Sequence, residues 1–250
     1  RWLTFTASFG DDDAETQVWA LDRRGGEARP LTDVEQGVSG YLWSPDGTRL
    51  LLSVRDPEPE DSAWTSDRTK PWVVDRLQIK RDRVGYLTDT RKTHLYVLDV
   101  TTGDLRQITG GDYDESSPAW SPDGRWVVFS SNRTEDPDAN SNSDLWVVSA
   151  DAAEPVSEPR RLTEYADGDS RPAVSPDGQW VAYVTGTHDP QFGAFGTSHL
   201  AVIPFAGGAR RVLTEALDRN VGDPVWTADG RGVVVSVQDE GDVHVARIDV

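Results

Sequence analysis

The chain has 250 residues, a formal net charge of −18 at pH 7, and neither cysteine nor methionine. A surface this negative repels the phosphates of nucleic acids and anionic lipid headgroups, so we expect neither as a partner. Without cysteine, disulfides, thiolate catalysis and cysteine-bound zinc are excluded. No apolar run is long enough to predict a membrane-spanning helix, and there is no N-terminal signal pattern. The absence of cysteine fits a reducing cytoplasm, which is the location we predict.

Two motifs recur along the chain and keep the same rhythm. The first is Ser-Pro-Asp-Gly between two apolar strands, and the second is an apolar strand, a turn and a short strand that ends in Leu-Thr. Copies of the first lie at Tyr41–Val54, Pro118–Ser131 and Pro172–Thr185, with a degraded copy at Pro224–Val237. Copies of the second lie at His94–Thr109, Asp144–Thr163 and His199–Thr214. The spacings of the two motifs agree to within one residue, which identifies a true structural repeat.

Each repeat is typical of four short antiparallel strands. In Ser-Pro-Asp-Gly, proline presets φ at the second turn position and glycine supplies the positive φ at the exit. Strands rich in β-branched and aromatic residues flank the turn, as in Trp126–Phe129. Four-stranded units of this length predict an all-β fold, the β-propeller, with three complete and two partial blades in this segment.

In chain order, the partial first blade lacks its first strand, because Arg1–Phe5 matches the residues that follow Ser-Pro-Asp-Gly elsewhere. The last blade stops at its third strand. The predicted boundaries are 1–32 for the first partial blade, 33–109, 110–163 and 164–214 for the complete blades, and 215–250 for the last partial blade. Since no initiator methionine is present, we expect this chain to be a segment of a longer polypeptide whose propeller has more blades.

The first complete blade carries an insertion at about residues 55–93, which we call the insertion throughout. It opens with an acidic, proline-containing loop and continues with an alternating pattern that predicts an added hairpin. Residues 67–94 carry eight Lys/Arg against four Asp, whereas the rest of the chain is strongly acidic. One hypothesis is a solvated hairpin. The other is a contact with another domain or an anionic substrate group, with the candidate contact residues Arg76, Arg81, Arg83 and Tyr86.

No residue pattern for catalysis or metal binding stands out. The Gly-x-Ser-x-Gly motif of an α/β-hydrolase is absent, and Asp11–Asp13 lacks the spacing of a calcium loop. We predict no catalytic residues, no metal and no cofactor. His94 and His199 share a repeat position with Asp144, and we place His244 at the position of Tyr96 and Trp146, so these histidines are expected to be structural or surface residues.

Other candidate ligand-binding residues have ordinary explanations. His188 stands alone in a loop and is expected to face solvent. The tryptophans recur at fixed repeat positions, which indicates packing between blades rather than ligand stacking. They fall into two sets: Trp43, Trp120 and Trp226 precede the turn, and Trp2, Trp126 and Trp180 follow it.

The Ser-Pro-Asp-Gly blades that end in Leu-Thr resemble the propellers of TolB-like periplasmic proteins and of prolyl oligopeptidase family serine peptidases. The insertion, from Pro71–Leu77 through Val84–Leu87 to His94–Val97, is similar to a segment of acylaminoacyl-peptidase-like and dipeptidyl-peptidase-like members. The peptidase resemblance implies a propeller that caps an α/β-hydrolase domain of the same polypeptide and admits short or unstructured peptides. That hydrolase domain is absent from this chain, so no catalytic residue is carried over.

This resemblance leads to a primary functional hypothesis and two alternatives. The primary one is a non-catalytic propeller that gates and positions peptide substrates for the hydrolase domain. The first alternative is a TolB-like protein-binding propeller with no enzymatic activity, which would have a secretion signal upstream. The second is a fusion to another enzyme, such as an amidohydrolase. Taken alone, the segment is expected to show no hydrolase activity, and its open blade edges make an oligomer possible.

Overall fold

A computed structural model describes residues 2–10, 14–57, 77–82, 85–86, 91–151, 158–166, 168–186 and 196–250. Its strands in the first half are β1 (Trp2–Ala7), β2 (Gln17–Asp22), β3 (Arg29–Pro30), β4 (Gly40–Trp43), β5 (Arg49–Arg55), β6 (Lys80–Arg81), β7 (Gly85–Tyr86), β8 (Thr93–Asp99) and β9 (Leu105–Gln107). The remaining strands are β10 (Ser116–Trp120), β11 (Trp126–Ser131), β12 (Asp144–Ser149), β13 (Arg160–Arg161), β14 (Asp169–Val174), β15 (Trp180–Gly186), β16 (Ser198–Pro204), β17 (Arg211–Val212), β18 (Val221–Trp226), β19 (Gly232–Asp239) and β20 (Asp242–Asp249). Within these ranges, no helix is long and apolar enough to cross a membrane.

The strands form five antiparallel sheets in which neighbours in sequence are neighbours in space. Blade 1 has the order β1-β2-β3, blade 2 β4-β5-β8-β9, blade 3 β10-β11-β12-β13, blade 4 β14-β15-β16-β17, and blade 5 β18-β19-β20. A separate two-stranded sheet, β6-β7, lies in the insertion between β5 and β8. Three four-stranded and two three-stranded sheets confirm the predicted all-β propeller with three complete and two partial blades.

The turn between the first two strands of a blade is stabilised by its own side chains. In blade 3, the Ser121 hydroxyl donates to Asp123 Oδ1 over 2.5 Å and accepts from the Trp126 N–H over 3.0 Å. Asp123 also accepts from the Arg125 N–H, and Gly124 has a φ of 68°. These hydrogen bonds hold the pKa of Asp123 below its usual value. The same arrangement recurs at the turns that begin with Ser44, Ser175 and Thr227.

We therefore expect Ser121→Ala to lower the free energy of unfolding by about 1–2 kcal/mol, because the partly buried Trp126 N–H loses its acceptor and Asp123 loses a donor. Urea denaturation of the two proteins measures the change. Ser116→Ala is the matched control, since the Ser116 hydroxyl is exposed and makes one long bond of 3.4 Å. Equal effects of the two substitutions would contradict this account of the turn.

Apolar side chains fill the space between each pair of consecutive sheets. Successive residues of a strand point to opposite faces, so Val127 and Phe129 pack toward blade 2 whereas Val128 packs toward blade 4. Likewise Leu51 packs toward blade 3, and its neighbour Leu50 packs toward blade 1. Each inner sheet therefore buries both faces, which explains why its second and third strands are almost continuously apolar.

Tryptophans at the ends of the first strands link neighbouring blades. The Trp43 indole N–H donates to Thr4 Oγ1 over 3.0 Å, and that of Trp226 donates to the Ala173 carbonyl over 2.9 Å. Packing between blades is therefore confirmed for the tryptophans before the turn. It is wrong for Trp2 and Trp126, which are 46% and 38% exposed, whereas Trp180 at the equivalent position packs against the apolar cluster between blades 4 and 5.

The connections between the second and third strands of the blades lie at one end of the sheets, which we call the long-loop end. Because the strands alternate in direction, the connections from the second to the third strand of every blade emerge at the same end. They span 8–16, 56–92, 132–143 and 187–197 in blades 1 to 4. The opposite end carries the short turns 44–48, 121–125, 175–179 and 227–231. The insertion therefore stands among the other long loops.

Candidate functional site at the long-loop end

A polar residue opens the third strand of every blade at the long-loop end. Strand pairing places five residues at this equivalent position: Gln17, His94, Asp144, His199 and His244, opposite Ala7, Val54, Ser131, Thr185 and Val237. In blades 1 to 4, the threonine of the Leu-Thr ending accepts a backbone N–H one residue further along the same strand. The repeated threonine thus stabilises the beginning of the third strand, beside the site.

The register corrects one sequence expectation. His244 pairs with Val237 as His94 pairs with Val54, so His244 shares the position of His94 and Asp144 rather than that of Tyr96. His94 and His199 are buried, as the structural interpretation predicted, whereas His244 is exposed because β20 lies at the edge of its sheet.

A buried network of charged groups joins blades 2 and 3 at the root of the insertion. The Glu115 side chain is fully buried and accepts from His94 Nδ1–H over 2.7 Å, from the Thr109 hydroxyl over 2.9 Å and from Arg133 Nη2 over 2.5 Å. His94 Nε2 lies 3.4 Å from Asp56 Oδ1, at the first residue of the insertion's acidic loop. Three side chains therefore meet at the Glu115 carboxylate, and Asp56 joins the network through His94.

Arg133 is the cationic partner of Glu115 in this network. Its guanidinium lies within 4.8–5.6 Å of the rings of Tyr113, Trp146 and Phe129, so aromatic faces surround the cation while Glu115 neutralises it. Burial by itself lowers the pKa of His94, but the hydrogen bond that His94 donates to Glu115 and the charges of Glu115 and Asp56 outweigh it, and the pKa of His94 is raised. The network thus favours a protonated imidazole.

Blades 3 and 4 meet at a different buried group. Asp169 is fully buried, and neither of its carboxylate oxygens has a hydrogen-bond partner. The guanidinium of Arg210 lies 4.0 Å away and bonds instead to Thr185 Oγ1. Burial, only partly offset by Thr185, Thr163 and Arg210, raises the pKa of Asp169 to about 6. The neighbouring carboxylate of Asp144 is paired with Arg161 over 2.7 Å.

The root of the insertion is held to blade 2 and to the connection that leads to blade 3. Its chain returns to blade 2 where the Asp56 N–H donates to the Lys92 carbonyl over 2.8 Å, and Lys92 Nζ lies 3.3 Å from Asp112. Of the predicted contact residues, Arg81 lies in β6 and Tyr86 in the paired strand β7, at the long-loop end. Arg76 and Arg83 lie outside the described residues. The contact role of these four residues stays a prediction.

The rest of the site offers little for catalysis. Within the described part of the chain, no group of three or more metal-ligating side chains comes together. The aspartates of the Ser-Pro-Asp-Gly turns are engaged in turn hydrogen bonds, as expected. His188 and the run Asp11–Asp13 lie outside the described residues.

Sequence reasoning missed Glu115, Arg133 and Asp169. A signal for the first and last existed, because Glu115 and Asp169 stand at equivalent places, six residues before the turn serines Ser121 and Ser175 of consecutive blades. Arg133 gave no such signal, since it lies in a loop outside the repeat. Its role depends on which blade packs against it.

Similarities to known proteins agree with this geometry. "Uncharacterized peptidase YuxL" of Bacillus subtilis is 38% identical over 152 residues, which cover 59% of this chain and 23% of that protein. "Dipeptidyl-peptidase 5" of Porphyromonas gingivalis is 23% identical over 236 residues, which cover 85% of this chain and 32% of that protein. The chain therefore spans about a quarter to a third of the length of these peptidases.

Among solved structures, acylaminoacyl peptidase of Pyrococcus horikoshii superimposes over 100% of this chain and 36% of its own, with a TM-score of 0.67 and 16% identity, which shows a shared fold. The family model described as "TolB beta propeller domain" matches residues 52–250, most of the chain and nearly four of its five sheets. The chain belongs to the TolB β-propeller domain family.

Proposed function

We propose that this chain is the non-catalytic propeller of a prolyl oligopeptidase family serine peptidase, which gates and positions peptide substrates for a hydrolase domain elsewhere in the same polypeptide. The observation that carries the proposal is the long-loop end, where an insertion whose second part, residues 67–94, is basic stands on an acidic propeller and is fastened to two blades. The relatives whose names give an activity are peptidases about three to four times longer than the matched segment, which leaves room for a catalytic domain.

The proposed chemistry is divided between the two domains. The hydrolase domain would supply the nucleophile, its base and the oxyanion hole. The propeller would exclude folded proteins sterically. Cationic groups of the insertion would attract an acidic or carboxylate-bearing part of a peptide. A cytoplasmic location stays part of this proposal.

The first experiment compares the full-length protein with the isolated chain 1–250. Labelling with a fluorophosphonate probe and hydrolysis of acyl-peptide and dipeptide substrates are expected for the full-length protein and absent for the chain alone. A full-length protein that neither labels nor hydrolyses would overturn the peptidase proposal. The match to the TolB propeller model would then favour a protein-binding module, to be tested by co-purification with protein partners.

The second experiment tests the insertion. The triple charge reversal Arg76→Glu, Arg81→Glu and Arg83→Glu is expected to raise KM for peptide substrates about ten-fold with little change in kcat, because it inverts the local field that attracts an anionic group. Tyr86→Ala is made separately to test whether the Tyr86 ring stacks on the peptide substrate. The matched control reverses Arg23, Arg125 and Arg231, which are exposed in turns at the opposite end. Equal effects of the two triple variants would show that only net charge matters.

A further inference from the structure

A single carboxylate of blade 3 receives the described part of the insertion. The backbone N–H of Leu77 and the backbone N–H of Gln78 both donate to the Asp138 carboxylate, the second over 3.1 Å to Oδ1. The side-chain amide of Gln78 donates to the backbone carbonyl of Asp138 over 3.1 Å. Three hydrogen bonds thus converge on one residue some sixty positions away in the chain.

The loop that carries Asp138 is itself braced. In the 132–143 loop, the Asn132 amide donates to Asn140 Oδ1 over 3.0 Å, and the Asn140 amide donates to Thr134 Oγ1 over 3.0 Å. Asn132 Oδ1 in turn accepts from the Thr134 hydroxyl over 2.8 Å. This closed ring of side-chain bonds gives Asp138 a defined place from which to hold a partner.

The same loop also contacts the root of the insertion. Arg133, at the beginning of the 132–143 loop, binds Glu115, which binds His94, and His94 lies beside Asp56. The insertion is therefore attached to blade 3 at two separated points, its root and the segment 77–78. A hairpin attached at two points has less freedom to rotate than a hairpin attached only at its root.

We propose that Asp138 is a positioning residue that holds the insertion against blade 3, so that the described insertion strands form a fixed wall of the long-loop end rather than a free flap. A carboxylate suits this role because it offers an acceptor oxygen to each of two consecutive N–H groups, and bonds to a charged acceptor are stronger than bonds between neutral groups. The effect on peptide binding rests on the proposed function, whereas the attachment itself does not.

Hydrogen exchange of the full-length protein, measured by mass spectrometry over residues 77–82, tests the attachment. Asp138→Ala is expected to speed exchange of this segment at least ten-fold, and Asp138→Asn, which keeps one acceptor oxygen, to give an intermediate rate. Asp136→Ala is the matched control, because it removes an equal charge from an exposed side chain of the same loop. Equal exchange in the Asp138→Ala and Asp136→Ala variants would overturn the proposal.

Kinetics separates this inference from the proposed function. If exchange speeds up and KM for peptides rises while kcat is unchanged, Asp138 positions an insertion that contacts substrate. If exchange speeds up while KM and kcat both stay at their original values, the attachment holds and the substrate role of the insertion fails. A purely structural role would lower the melting temperature of Asp138→Ala without the local exchange change, and that result also counts against the proposal.

Discussion

Asp169→Asn is expected to raise the free energy of unfolding at pH 8 by about 3 kcal/mol, which is unusual for the removal of a charge from a protein interior. The pKa of Asp169 is raised to about 6 in the folded chain, against about 3.9 in an unfolded chain. The folded state therefore holds this proton more tightly than the unfolded state does. Each pKa unit corresponds to about 1.4 kcal/mol, so the ionised group destabilises the fold above pH 6.

The pH dependence gives the sign of this effect. As the pH falls from 6 towards 4, Asp169 becomes protonated in the folded chain, and the advantage of asparagine shrinks until the two proteins are equally stable below pH 4. Urea denaturation at several pH values measures the difference. A lower stability of Asp169→Asn at pH 8 would show that Arg210, 4.0 Å away, stabilises the carboxylate more than burial penalises it.

Asp177→Asn is the matched control and is expected to act in the opposite direction. Asp177 accepts from the Ser175 hydroxyl and the Gln179 N–H, and these bonds lower its pKa. A lowered pKa contributes stability above the unfolded pKa and loses it as the pH falls through the folded value. Asp177→Asn should therefore destabilise at neutral pH and lose its effect in acid.

Glu115→Ala is expected to lower the free energy of unfolding by about 3–5 kcal/mol, the largest loss that we predict for a single substitution. It removes the partner of two groups that stay buried, the Arg133 guanidinium and the His94 imidazole, and an unpaired buried charge is costly. Glu115→Gln, which keeps an acceptor of the same shape, is expected to lose less. Denaturation in urea at pH 7 measures both.

Glu164→Ala is the matched control for this prediction. Glu164 lies in the equivalent connection of the next blade and pairs with Arg161 over 3.3 Å, but its side chain is 82% exposed. Exposed ion pairs contribute little, so the change should stay within about 0.5 kcal/mol. A loss at Glu115 no greater than the loss at Glu164 would contradict the description of a buried network.

The pH dependence at His94 follows from the same contacts. Its pKa is raised in the folded chain, so its contribution to stability is present below the unfolded pKa and is lost as the pH rises through the higher folded value. Because His94 lies between Glu115 and Asp56, raising the pH weakens the root attachment of the insertion.

The sequence by itself determined the architecture, because each repeat carries its own turn and strand signals. The Ser-Pro-Asp-Gly turns depend on contacts within about five residues, such as those of Ser121 with Asp123 and Trp126. Because these contacts are local, the sequence alone predicts them. Strands that are apolar on both faces likewise indicate that each sheet packs against a neighbouring sheet. The placement of an insertion between the second and third strands of one blade followed from the same repeat.

Only the tertiary structure decided which polar groups meet at the long-loop end. Glu115, Arg133 and His94 come from three segments, and Asp138 contacts Leu77 across some sixty residues, so their pairing depends on how blades 2 and 3 pack. The exposure of Trp126 and the register of His244 were decided the same way, by what covers each face of a sheet. A repeat encodes the contacts within a blade, whereas the residues that break the repeat acquire their partners only when the blades assemble.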